Sequence, residues 1–93
     1  MSKIYINDYG HAFLVRTHTD ISGASVLKIK VKKPDLTTDE WVATLDGTED
    51  MSYTVASGDL DQSGTWEGQA YVEDSGWVGH GETFKFKVRA LFD

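Results

Sequence analysis

The chain has 93 residues, nine Lys and Arg against fifteen Asp and Glu for a formal net charge of −6, and no cysteine. That length suits one domain, residues 1–93, and leaves no room for a catalytic domain joined to a separate binding domain. The acidic balance argues against nucleic acid and anionic membrane as partners, and the cysteine count removes disulfides and thiolate metal sites, so packing or assembly must supply the stability.

The segment 1–8 turns polar before any leader-like apolar run forms, and no stretch is long enough to span a bilayer, so a protein made without an export signal is expected. Residues 3–7 read as a short first strand with Ile4 and Ile6 on one face, turned by Asp8-Tyr9-Gly10. Residues 11–18 are mostly apolar through Phe13, Leu14 and Val15, and residues 21–25 read as a surface crossing. In residues 26–32, Leu27, Ile29 and Val31 alternate with Lys28, Lys30 and Lys32, the period of two that puts one face in a core and the other in water. Residues 33–38 turn the chain, because proline fixes its own φ and aspartate bonds nearby amides.

Residues 40–46 form a strand with Trp41, Ala43 and Leu45 on one face, ended by Asp46-Gly47. Residues 51–57 repeat the alternation through Met51, Tyr53 and Val55, and residues 58–64 loop around Leu60. Residues 65–73 carry Trp66, Gly68, Ala70 and Val72 inward and Glu67, Gln69, Tyr71 and Glu73 outward. Trp77-Val78 are brief, Gly79-His80-Gly81 breaks the pattern with His80 in an exposed loop, and residues 82–90 set Phe84, Phe86 and Val88 against Lys85, Lys87 and Arg89. About seven one-faced strands between short turns require two packed antiparallel sheets or a closed barrel. The size favours an immunoglobulin-like β-sandwich.

Little in the chain points to catalysis. His11, His18 and His80 lack metal-ligand spacing, and no nucleophile elbow, phosphate loop or dinucleotide fingerprint occurs, so no enzyme, metal or cofactor is expected. The run Asp59-Leu60-Asp61-Gln62-Ser63-Gly64 imitates the start of a calcium loop, but its twelfth position is Ala70 where a bidentate Glu is needed. A corner is the better account: Leu60 closes the core, Asp61 or Ser63 caps a turn, and Gly64 takes unusual backbone angles before Trp66.

Charge is segregated. Residues 34–82 hold twelve acids and no Lys or Arg, whereas Lys28, Lys30, Lys32, Lys85, Lys87 and Arg89 form two outward cationic rows. Outward lysines protect edges from unwanted pairing, and they equally suit a head-to-tail contact in which basic strands meet a neighbour's acidic segment. Trp77 with Tyr71 suggests an exposed aromatic contact, which would serve sugar in a carbohydrate or host-surface binding module.

Two resemblances follow from particular residues. Leu60 to Trp66 resembles the corner before strand F of immunoglobulin-like domains, with Trp66 in place of the corner tyrosine and Gly68 where the disulfide cysteine would stand. More widely, Asp20-Ile21-Ser22-Gly23-Ala24, Lys28-Ile29-Lys30-Val31-Lys32-Lys33-Pro34-Asp35, Trp41-Val42-Ala43-Thr44-Leu45, Gly58-Asp59-Leu60-Asp61-Gln62-Ser63-Gly64-Thr65-Trp66, Tyr71-Val72 and Gly76-Trp77-Val78-Gly79-His80-Gly81-Glu82 resemble small immunoglobulin-like structural proteins of tailed phages. The N-terminal domain of phage baseplate upper proteins is a more distant likeness. The chain departs at Thr37, where a glycine would follow the turn. This resemblance implies a virion component in head, neck, tail or baseplate, made in the host cytoplasm, with other virion proteins and its own copies as partners.

Overall fold

The computed structural model describes residues 3–92, which form eight strands and no helix. In chain order these are β1 (Ile4–Tyr5), β2 (Ala12–Arg16), β3 (Val26–Lys32), β4 (Thr38–Val42), β5 (Thr44–Asp46), β6 (Asp50–Thr54), β7 (Gly64–Asp74) and β8 (Trp77–Arg89). One sheet has the order β1-β8-β7-β3-β4 and the other β2-β6-β5. They share one core in a sandwich-like arrangement.

Most pairings are antiparallel, but β1 runs parallel to β8, with Ile4 beside Val88, so the larger sheet is mixed. β1 is also shorter than the pattern of residues 3–7 implies, because Asn7 adopts a left-handed φ of 68° and its N–H turns to Leu60 O at 2.8 Å.

Two further differences change the strand count. Residues 40–46 are not one strand: the chain leaves the larger sheet at Ala43, whose N–H still donates to Leu27 O at 2.9 Å, and enters the smaller sheet as β5. Trp41 and Ala43 are buried while Leu45, past the crossing, is exposed. Nor does Gly79-His80-Gly81 interrupt the last strand. β8 is continuous because residues 81 and 82 together face Ala70, a bulge that absorbs one residue between the Gln69–Thr83 and Tyr71–His80 pairs. His80 is exposed as expected, but from a strand.

The alternation in β3 and β7 positions the core. Ile29, Val31, Trp66, Ala70 and Val72 are buried from the larger sheet, and Met51 from the smaller, with Val55 and Leu60 following β6. Phe13, Trp41, Tyr53, Trp66 and Phe86 form a connected aromatic cluster, with Trp41 stacked on Tyr53 at 4.9 Å. Fully buried aliphatic side chains such as Ile29, Val31 and Met51 each contribute on the order of 1.5–3 kcal/mol by leaving water. Ile21, in the expected surface crossing, is buried as well. Its N–H bonds Thr48 O, and Asp20 holds the Ser22 amide and hydroxyl in a tight turn that drops Ile21 inward.

Candidate protein-contact surface

The inward run of β3 sends Lys28, Lys30 and Lys32 to the outer face of the larger sheet, and the inward Phe84, Phe86 and Val88 of β8 send Lys85, Lys87 and Arg89 to the same face. Both rows therefore flank the outward side of β7, a juxtaposition that alternation alone does not reveal. Glu67 lies in register between Lys32 and Lys85, and Lys28 Nζ pairs with Glu40 Oε1 of β4 at 3.0 Å. The Lys28 ammonium holds the Glu40 carboxyl below the usual carboxylate range.

Lys30 makes a different kind of contact. Its Nζ stands 4.2 Å from the Tyr71 ring centroid and 3.2 Å from His80 Nε2, and the His80 ring tilts against Tyr71 at 5.1 Å. An ammonium has only protons to offer, so a hydrogen bond here requires Nε2 to accept and Nδ1 to carry the ring proton. The Tyr71 hydroxyl donates to Glu73 Oε2 at 2.6 Å, and that bond leads the factors raising its pKa. The ring is thus already covered by a cation and edged by an imidazole.

Tyr71 and Trp77 do not form one platform. Tyr71 is in register with His80 on the outer side, whereas Trp77 is in register with Asp74, an odd number of positions along both strands, and so faces the other way. Trp77, 41% exposed, lies over Gly79 so closely that a Cβ there would sit 2.6 Å from the ring. With Ile21 and Val72 it borders a hollow of about 170 Å³ at one end of the core. A sugar bound by both aromatics would have to contact opposite faces of one sheet.

The corner ties two loops together. Leu60 is fully buried, but the turn is capped by Asp59 and not by Asp61 or Ser63: Asp59 Oδ2 accepts the Ala56 N–H at 2.8 Å and the Tyr53 hydroxyl. Asp61 instead pairs with Lys33 Nζ at 3.1 Å, and Gln62 Nε2 donates to Asp35 at 2.9 Å. Gly64, at φ 131°, lets Pro34 approach to 2.9 Å from where a Cβ would be. Trp66 lacks the corner hydroxyl, yet its indole N–H donates to Gln62 O at 3.1 Å, the backward bond to the loop that such a corner uses. The loop carboxylates thus point to different protein partners and not to a common centre. Among the described residues no three His, Asp or Glu gather to hold a metal.

Between β2, at the edge of the smaller sheet, and the bulged part of β8 runs a groove of about 700 Å³ lined by Phe13, Leu14, Arg16, His18, His80 and Phe84, among others. It opens where the smaller sheet ends, at β2, above the larger one. No family model, curated protein or solved structure matches the chain.

Proposed function

We propose that this protein is a structural or assembly component of a tailed-phage virion, immunoglobulin-like in fold, that acts through protein–protein contacts and performs no catalysis. The observation that carries this reading is the placement of six of the nine Lys and Arg on one outer sheet face of a chain whose net charge is −6. A cationic face on an acidic molecule steers encounter with acidic protein surfaces and fixes orientation more than it adds affinity. The indole-to-backbone bond at the corner supports the immunoglobulin-like assignment, and the resemblance to phage structural proteins supplies the setting.

The test is incorporation of Lys30→Glu and Lys87→Glu chains into particles, measured by quantitative mass spectrometry alongside unfolding curves of the isolated proteins. Both variants are expected to fold and to incorporate more slowly, with the deficit growing as salt is lowered. Normal stoichiometry and rate for both would overturn the charged contact. Binding of a purified host glycan by the monomer, lost in Trp77→Ala, would replace this reading with that of a carbohydrate module.

A further inference from the structure

The two sheets leave edges of opposite character. In β2, Thr17 N–H donates to Glu49 O and His11 O accepts from Val55 N–H, each at 2.8 Å, so the odd-numbered residues face β6. The backbone groups of Ala12, Leu14 and Arg16 consequently point to the open side. In β4, the Lys33–Thr37 and Ala43–Leu27 bonds turn odd-numbered residues toward β3, leaving Thr38, Glu40 and Val42 on the open side. The Glu40 N–H on that side is met by the carboxylate of its own neighbour Asp39 at 2.8 Å.

We propose that β2 of one copy pairs antiparallel with β4 of a second copy, Leu14 opposite Val42 and Arg16 opposite Glu40. The two-residue spacing of open backbone groups is the same on both edges, so this register aligns them pair by pair, the Glu40 N–H exchanging the Asp39 carboxylate for the Arg16 carbonyl. It also matches the side chains. Leu14 is 61% and Val42 71% exposed, and each covers the other. The Arg16 guanidinium, held by Asp50 through Nε at 3.1 Å, keeps donors for Glu40, whose Oε1 alone is engaged by Lys28. The inward Val15 and Trp41 stay in their own cores.

Charge complementarity selects the second copy as occupant and selects the unlike edges. β4 carries Asp39 and Glu40, so two β4 edges repel each other, whereas β2 brings Arg16 between His11 and His18. β2 itself has neither proline nor lysine, two of the usual guards of an edge strand, and carries a charge only at its end, in Arg16. Joining unlike edges is heterologous, and it generates a ring or an open head-to-tail chain. The contact rests on the assembly reading above only in taking a copy of the protein as partner.

The test uses purified full-length protein. Sedimentation over a range of concentrations is expected to show self-association of the wild type and its loss, by about tenfold or more, in Arg16→Glu and in Glu40→Arg separately. Mixing those two variants recreates opposite charges at every junction and is expected to restore assembly. As a second measurement, the chain has no cysteine, so Leu14→Cys and Val42→Cys variants that fold as the wild type can be mixed and oxidised. A mixed Leu14–Val42 disulfide is expected to dominate. A monomeric wild type, a mixture of charge variants that stays dissociated, or predominance of either like-with-like disulfide would each overturn the contact. Normal particle incorporation of the Lys30 and Lys87 variants would defeat the assembly reading without touching this result.

Discussion

Trp41 and Trp66 pack with ring centroids 6.3 Å apart in one core, yet only Trp66 has an acceptor for its indole N–H. Trp41 Nε1 is buried with no hydrogen-bond partner among the described residues, while Trp66 bonds Gln62 O. Replacing each by Phe removes similar volume, but only at Trp66 does it strip a carbonyl of its donor. Trp66→Phe is therefore expected to cost about 1–2 kcal/mol more than Trp41→Phe. Urea unfolding of the two variants checks this, and equal losses would contradict it.

Two positive-φ positions in the joined loops have opposite expectations. Gly64→Ala places a Cβ against the Pro34 ring at φ 131° and is expected to destabilise by about 2 kcal/mol. Leu36, 71% exposed with φ 73°, bears the left-handed angle that a glycine in this turn would take freely. Leu36→Gly is expected to be neutral or to stabilise by up to about 1 kcal/mol, since relief of the backbone exceeds the entropy that glycine loses. Thermal unfolding of both variants reads the two signs.

Tyr53 gives the protein an alkaline dependence. Burial, then the bond to Asp59, push its hydroxyl up to about 12 from an ordinary value of 10.0. The folded state thus holds a proton that the unfolded chain releases near pH 10, so this contribution is full below pH 10 and is lost as pH rises through about 12. Wild type is expected to lose more thermal stability than Tyr53→Phe between pH 9 and roughly 11.5. Tyrosinate absorbance should show one late-titrating group that the variant lacks.

Asp59 and Asp61 serve different partners, so calorimetric titration with Ca²⁺ is expected to show no tight site. Without metal, Asp59→Ala should destabilise more than Asp61→Ala, because it leaves the Ala56 N–H and the Tyr53 hydroxyl without their acceptor. A micromolar constant abolished by Asp61→Ala would restore the calcium-loop interpretation.

Strict alternation made the inward sides of β3 and β7 legible, because one face of each is turned to the core, whereas the strand expected over residues 51–57 is β6, Asp50–Thr54, with Val55 buried just past its end. The same rule says nothing about partners. Trp41, Ala43 and Leu45 keep a period of two across a point where the strand changes sheets, a tertiary event with no local mark. Glycines at 79 and 81 imply a break, and only the pairing with β7 shows that Gly79 stays in register with Val72 while residues 81 and 82 bulge opposite Ala70. Likewise the lysine rows were readable as outward, but their convergence on one face depends on β7 lying between β3 and β8. The edge pairing of Leu14 and Arg16 is invisible until hydrogen bonds reveal which backbone groups remain open.

The parallel pairing of β1 with β8 sets a folding order. β1 has only two residues and takes its partner from the far end of the strand sequence, so its place in the sheet stays empty until β8 has been synthesised. Closing so long a loop is entropically slow, and the contact returns little area for it. A nascent chain can assemble β2 through β7 early, whereas completion waits for the final strand. During that interval the inner side of β7, with Trp66 at its start, lacks the cover of Phe84 and Phe86.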